Sequence, residues 1–299
     1  MTNQIRRAVV IGLAAASLSW APARAQQPEP GLAQVFEEAR TQLEEIGKRT
    51  YELEKRVPNE LDTAEEDRRT RTLAEKAGLG EIRIEWAKGA ERVALADGRP
   101  SSLELHRFEV SGRSHFILFH AFLVQRSSFN RLMELDRLHL LAEPDGGVRF
   151  TARFALPLYA PLPPEEHPDW KSPEDMVRKE VVARQLYVKA LEDLTARSNP
   201  PRLTGGLVAF GNGMGNRTLG LTEVRLEGQD AVLSGSVPST AQDRLRAALE
   251  KAGFHVKDLK TSPAGGCVTF TAETGLDPAG PEGEYEAGMN FFRTRPACD

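Results

Sequence analysis

Apolar and polar positions recur along this chain with two periods, and the order of those periods repeats. Spacings near 3.6 residues predict helices, and strict alternation predicts strands half-buried on one face. Across residues 61–160 the order is helix, strand, strand, helix, strand, strand, and it returns across 173–275. A chain that mixes such elements packs helices on an antiparallel sheet. The sequence therefore predicts an α+β fold with an internal repeat.

The first copy contains the clearest patterns. Its predicted elements are helices at about 61–77 and after Ser114, and strands at 81–87, 103–113, 133–142 and 148–159. Within 103–113 the apolar residues change parity, which predicts a bulge or twist that switches faces. The αββαββ order predicts a ferredoxin-like sandwich domain at 61–160.

The second copy follows the Pro-rich linker 161–172. We predict a helix over 173–197, strands at 221–228 and 231–238, a helix over 239–253, and two final strands before residue 275. The segment FGNGMGN (210–216) offers backbone amides for a phosphate, but a predicted strand follows it instead of a helix. We therefore interpret 210–216 as a connecting loop, and 173–275 as a second ferredoxin-like domain.

Residues 26–58 form a linker and a long helix with a seven-residue apolar repeat. This repeat predicts a coiled-coil-like seam for partner binding. The heptad seam consists of Phe36, Ala39, Leu43, Ile46, Leu53 and Val57. The alternative is an amphipathic helix packed on its own domain.

The first 25 residues have the pattern of a secretory signal peptide. Arg6 and Arg7 precede a short apolar run, and small residues stand at 23 and 25. The run is shorter than a spanning helix requires, which favours cleavage and a periplasmic protein. If the signal is not cleaved, the chain is anchored in the inner membrane.

Both cysteines, Cys267 and Cys298, lie near the C-terminus. An even number of cysteines in an exported chain is consistent with a disulfide bond, and two unpaired thiols are the alternative. A Cys267–Cys298 bond would hold the tail 276–299 against the second domain.

Candidate chemistry is sparse. The six histidines lack zinc-ligand spacing, although His106, His115 and His139 can converge in three dimensions. Acidic residues Glu65, Glu66 and Asp67 lie among arginines on a helix, which we interpret as a solvated face. With 39 basic and 43 acidic residues, the chain has no basic excess for nucleic acid. We predict no catalytic residues, no metal and no cofactor.

Three segments resemble the alignment proteins of type IV pilus and type II secretion machines. VSGRSHFILFHAFL (110–123), with Phe119, Phe122 and Leu123 as core, and FNRLMELDRLHL (129–140) resemble the PilO family. The run 221–254, with Gly235, Leu245 and Leu249, resembles the soluble part of the PilN family. Those proteins are usually separate and carry a transmembrane helix, whereas this chain combines both patterns.

The resemblance implies a non-enzymatic scaffold that assembles with itself as a dimer or with pilus or secretion components, at most peripheral to the membrane. Two alternatives remain at this point. One is a periplasmic ligand- or peptide-binding module that uses a groove between the domains. The other is a divergent hydrolase, whose titratable groups would converge only in the folded chain.

Overall fold

A computed structural model describes residues 32–127, 131–162, 172–197, 201–215, 218–276 and 290–294. Nine strands form one antiparallel sheet, and six α-helices and a short 3-10 helix accompany them. The helices are α1 (Leu32–Glu54), α2 (Thr63–Lys76), α3 (Phe116–Ser127), α4 (Pro173–Arg197), α5 (Pro201–Met214) and α6 (Leu245–Lys251). The strands are β1 (Ile82–Trp86), β2 (Glu91–Ala94), β3 (Pro100–Ser114), β4 (Glu134–Ala142), β5 (Val148–Tyr159), β6 (Gly220–Glu227), β7 (Asp230–Pro238), β8 (Phe254–Ala264) and β9 (Cys267–Leu276).

The sheet consists of two halves with the same topology. The strand order is β1-β3-β5-β4-β6-β7-β9-β8, and β2 pairs with β3 beside β1. Apart from β2, each half follows αββαββ with its fourth strand between the second and third. The halves meet where β4 pairs with β6, so one sheet runs through both.

Equivalent positions in the two halves carry matching residues. Gly112 lies opposite Phe150 in the first half, as Gly235 lies opposite Phe270 in the second. A Cβ added at Gly112 would lie 2.9 Å from the Phe150 ring, and one at Gly235 would lie 3.0 Å from the Phe270 ring. Each half therefore requires glycine at the position where the phenylalanine ring lies against the neighbouring strand. The sequences VRFTA (148–152) and VTFTA (268–272) occupy equivalent stretches of β5 and β9.

The main core lies between one face of the sheet and helices α2, α3, α5 and α6. Fully buried members include Phe119 and Phe154 in the first half and Phe210 and Leu249 in the second. All of them belong to one continuous apolar cluster that spans both halves. We call this covered side the helical face and the opposite side the polar face.

Strand β3 has buried residues on both faces. The bulge that we predicted within 103–113 is absent from its pairing with β5. That pairing runs from Leu103 to Ser114 without a register shift. Leu103 and Leu105 enter a small cluster with α4 on the polar face, whereas Phe108 and Val110 enter the main core. The parity change in the sequence therefore reflects two different covering layers rather than a change of face.

Residues 201–214 form helix α5, so our interpretation of 210–216 as a loop was wrong over 210–214. Gly206 and Gly211 permit close packing in this helix. A Cβ at Gly206 would lie 3.1 Å from the Ala252 carbonyl oxygen, and one at Gly211 would lie 2.6 Å from Phe291. The glycines that suggested a loop thus allow neighbouring groups to approach a buried helix.

The helix predicted over 173–197 is present as α4, but it packs along α1. The covering helix in front of β6 is α5. Within the described residues, none of the helices is long and apolar enough to span a membrane. The predicted signal peptide 1–25 lies outside the described residues, and the proposed domain boundaries remain predictions.

Candidate partner-binding surfaces

Helices α1 and α4 form an antiparallel pair. Arg49 forms a salt bridge with Glu192, and the Tyr187 hydroxyl donates to Glu54 Oε1 at 2.9 Å. The two helices therefore run in opposite directions. Burial, together with the hydrogen bond to Glu54, raises the pKa of Tyr187 and keeps its hydroxyl protonated.

The pair is attached to the polar face at one end of the first half. Val57, Leu191 and Leu194 pack with Leu103 and Leu105 of β3 in the small apolar cluster. Backbone bonds extend the attachment: Leu132 N donates to the Arg56 carbonyl at 2.9 Å, and Tyr159 N donates to the Pro58 carbonyl at 3.1 Å. The helix pair is thus fixed at this end of the sheet.

The structure places the six residues of the heptad seam in different environments. Ala39 and Val57 are buried, Leu43, Ile46 and Leu53 are half-buried, and Phe36 is 37% exposed. Leu53 packs against the cluster that contains Leu191 and Leu194 of α4. This arrangement is the one expected if the helix packs on its own domain. Partner binding by the heptad seam remains a prediction.

Other large apolar side chains on the two helices face solvent. Tyr51 on α1 is 63% exposed, and on α4 Met176 is 40% and Val182 50% exposed. Lys55 Nζ lies 4.4 Å from the centre of the Tyr51 ring. We call these three residues and Phe36 the helix-pair surface; the antiparallel register places Phe36 at one end of the pair and Met176 and Val182 at the other.

The joint between β4 and β6 combines an apolar side and a charged side. On the helical face, Leu138 lies opposite Leu226 and Leu140 opposite Val224, and all four are buried. On the polar face, Arg137 Nη2 donates to Glu227 Oε1 at 2.5 Å. The joint therefore pairs strand edges with both hydrophobic contact and charge complementarity.

The same joint holds a histidine and a carboxylate together. His139 Nε2 lies 2.7 Å from Glu223 Oε1, and Arg225 Nε donates to the same oxygen at 2.6 Å. Partial burial opposes the charge on Glu223, but the hydrogen bonds from His139 and Arg225 prevail and lower its pKa. Glu223 therefore remains a carboxylate that ties the second half to the first.

The polar face of the first half contains a second charge cluster. Asp136 is the extra residue of a bulge in β4, and its Oδ2 accepts from Arg107 Nε at 3.1 Å and Arg153 Nε at 2.7 Å. Arg107 also donates to Glu91 at 2.5 Å. Burial opposes the charge on Arg107, but the bond to Glu91 and the charge of Asp136 prevail and raise its pKa. These groups satisfy one another across four strands.

Glu66 is not on a solvated face as we predicted, because its side chain is 2% exposed. It pairs with Arg126, which is 3% exposed, and accepts from Arg131 Nη1 at 3.1 Å. Burial lowers the pKa of Arg126, against the opposing effect of Glu66. Arg126 also lies 5.5 Å from the centre of the Phe108 ring. A buried ion pair thus joins α2 to α3.

The C-terminal segment 290–294 packs at the joint. Leu221 N donates to the Phe291 carbonyl at 2.6 Å, and Arg293 N donates to the Leu221 carbonyl at 2.9 Å. Phe291 and Phe292 are buried beside Phe116, and Asn290 Nδ2 donates to the Gly146 carbonyl at 3.0 Å. Cys267 is buried in β9. Cys298 lies outside the described residues, so the proposed pairing remains a prediction.

Three of the histidines have separate partners. His139 contacts Glu223, His106 Nε2 lies 4.0 Å from Glu104, and His120 Nδ1 lies 2.7 Å from Thr204 Oγ1 between α3 and α5. Burial lowers the pKa of His120. Within the part of the chain that the structure describes, no group of three or more His, Cys, Asp or Glu side chains could hold a metal ion.

Sequence reasoning missed the joint and the buried ion pair. The repeated V-x-F-T-A motif could have aligned the two halves and pointed to equivalent strands. Comparison with protein-family models, curated proteins and solved structures found no match to this chain.

Proposed function

We propose that this chain is a non-enzymatic assembly protein of the cell envelope that binds protein partners, itself included. The helix-pair surface carries this proposal, because four large apolar side chains on two docked helices face solvent. Large aromatic and aliphatic side chains are typical anchors of protein interfaces when a partner buries them. Heptad-seam residue Phe36 belongs to this surface.

The repeated architecture also supports the proposal. We propose that each half is a ferredoxin-like unit of the kind found in the PilO and PilN families. The shared αββαββ order and the shared strand order favour this assignment. We propose that helix pairing through α1 and α4, together with dimerisation of the two sandwich domains, holds this chain to its partners.

Export to the periplasm is part of the same proposal. The leader pattern at 1–25 supports it, with cleavage after Ala25. N-terminal sequencing of the protein from fractionated cells tests this directly. A mature chain that begins at Gln26 in the periplasmic fraction is expected, and an intact leader in the membrane fraction would favour the anchored form.

The association itself is tested by light scattering of the mature chain. We expect Phe36→Asp combined with Val182→Asp to lower the mass of the assembly, because both changes place charge in an apolar contact. The matched control is Val124→Asp, since Val124 is 43% exposed on α3, away from the helix pair. Equal masses for the wild type and the double variant, with unchanged circular dichroism, would refute the role of this surface.

The partner is tested by crosslinking of the tagged protein in its native envelope, followed by mass spectrometry. Recovery of anchored pilus or secretion components through α1 or α4 would support the scaffold role. Crosslinks restricted to other surfaces would contradict the helix-pair surface as the binding site.

A further inference from the structure

The two outer edges of the sheet match the two strands that pair at the joint. Strand β8 is the third strand of its half, as β4 is of the first half. Strand β1 is the first strand of its half, as β6 is of the second. Among the described residues, no strand pairs with the outer side of β8 or of β1. The free edge of β8 is thus equivalent to the paired edge of β4, and the free edge of β1 is equivalent to the paired edge of β6.

Strands β4 and β8 are equivalent residue by residue. Each has one bulge against its neighbour, at Asp136 in β4 and at Lys257 in β8. The pairs Arg137↔Arg153 and Asp258↔Glu273 follow directly after these bulges. Residues 137–141 therefore correspond to 258–262.

Strands β1 and β6 correspond in the same way. Ile84 pairs with Val110 in the first half, and Val224 pairs with Leu233 in the second. Val110 and Leu233 in turn lie opposite Ala152 and Ala272 of the repeated V-x-F-T-A motif. Residues 83–87 therefore correspond to 223–227.

We infer that β8 of one molecule pairs with β1 of the next, in the register that β4 and β6 use within the chain. This inference rests on the proposed assembly role, but it uses a different surface. It specifies a second copy of this chain as the partner.

The register produces complementary contacts. In the joint, His139 lies opposite Arg225 and Leu138 opposite Leu226. The equivalent pairs between molecules are Lys260 with Glu85 on the polar face, and Leu259 with Trp86 on the helical face. A lysine and a glutamate directly opposite each other stabilise a pair of strands.

Apolar residues are more deeply buried at the joint than at the free edges, as expected if the free edges lack a partner strand. At the joint, Leu138 and Leu140 are 0% exposed. At the free edges, Ile84, Trp86 and Leu259 are only half-buried, although they contact the core. An added strand would extend the apolar layer and cover these side chains.

Features that usually protect an edge lie outside the proposed contact or also occur at the joint. Pro263 cannot donate a backbone hydrogen bond, but it follows the stretch 258–262. Arg71 donates to the Ile82 carbonyl at 3.1 Å, one residue before 83–87. Charged residues such as Lys260 protect edges in many sheets. At the joint, however, Arg137 and Glu227 are charged and still pair.

The predicted contact joins two different surfaces, so it does not close on itself as a symmetric dimer does. Repetition of such a contact produces a linear array or a ring. We therefore expect the mass of the mature chain to rise through successive multiples of the monomer as concentration increases.

The experiment mixes two single variants of the mature chain, Glu85→Cys and Lys260→Cys, with tags of different size. After mild oxidation we expect a disulfide-linked species that contains one copy of each, mapped by mass spectrometry to positions 85 and 260. Neither variant alone should form this link. The register control replaces Lys260→Cys by Ser262→Cys, two residues along the same face, and its yield should be several-fold lower.

Three results would overturn the inference: no mixed product above the single-variant background, equal yield from the control at 262, or links between identical variants. Charge reversal provides a second test without new cysteines. Lys260→Glu should weaken self-association about fivefold, and Glu85→Lys in the same chain should restore it. Failure of restoration in well-folded variants would also count against the pairing.

The outcomes separate this inference from the proposed function. If Phe36→Asp with Val182→Asp lowers the mass but the 85–260 link still forms, both surfaces act. If the link fails while the helix-pair variants lower the mass, only the edge inference is lost. If the link forms and the helix-pair variants change nothing, only the helix-pair surface is lost.

Discussion

Removal of the Glu66 carboxylate should destabilise the fold more than removal of its partner Arg126. Both side chains are almost fully buried between α2 and α3. Glu66→Leu leaves the Arg126 guanidinium buried without its carboxylate. Loss of one partner from a buried ion pair costs about 3–5 kcal/mol. We expect a loss of that size in the free energy of unfolding.

Arg126→Met has a smaller expected effect because Glu66 retains another partner. Arg131 Nη1 still lies 3.1 Å from Glu66, and its side chain is 32% exposed. The loss is then closer to that of one hydrogen bond to a charged group, about 1.5–3 kcal/mol. In the double variant no uncompensated charge is buried, so it should be more stable than Glu66→Leu alone.

Urea unfolding followed by tryptophan fluorescence measures these differences. Trp86 is a suitable reporter, since its indole N–H donates to Asp67 on α2 at 2.7 Å. The control is Glu65→Leu, because Glu65 is on the same helix turn but its side chain is 45% exposed in a surface pair with Arg68. Surface ion pairs contribute about 0–1 kcal/mol.

The reasoning would be refuted by a loss below about 1 kcal/mol for Glu66→Leu, a value typical of surface sites. It would also be refuted if the two single losses simply added in the double variant, because residues of one buried pair should couple. The slope of free energy against urea should not change among the variants.

Three further predictions concern other parts of the molecule. The pKa of His120 is lower in the fold than its ordinary value of 6.5, so below about pH 6.5 the unfolded chain binds more protons and stability falls; His120→Gln should flatten this part of the urea-midpoint profile, whereas exposed His255→Gln should not. Gly235→Ala places a Cβ against the Gly220 carbonyl oxygen, inside van der Waals contact, and should cost about 1–3 kcal/mol in thermal unfolding, while Gly47→Ala in α1 meets no atom within 4 Å and should be stabilising. Phe292→Ala removes a fully buried ring from the tail contact and should cost about 3–5 kcal/mol, whereas an effect near zero on the melting temperature would mean that the tail does not contribute to the core.

Several strands could be predicted from sequence because apolar and polar residues alternate along them, although strand β2 was not predicted. Alternation at 81–87 matches β1, and the predicted range 148–159 matches β5 residue for residue. A half-covered strand displays its period directly in the sequence. The parity change in β3 was visible too, but its cause was not, because the second covering layer comes from α4, distant in sequence.

The features that sequence reasoning missed all depend on contacts between distant segments. Glycines in α5 look like a loop because the phenylalanine that fills the space beside Gly211 is residue 291. Glu66 looks solvated among arginines on its own helix, because its principal partner Arg126 lies on α3. The pairing of β4 with β6 is set by topology, which local periodicity does not encode.

The two strands of the joint lie far apart in the chain, so they are synthesised at different times. Strand β4 ends at Ala142, but its partner β6 begins only at Gly220. At about 5–20 residues per second, a ribosome needs roughly 4–16 s to produce the intervening segment. Until β6 is available, during synthesis and during export of the chain, the first half lacks the strand that pairs with its β4 edge. Unpaired edges are sites of misassociation, so a binding factor that shields β4 would act before the two strands pair.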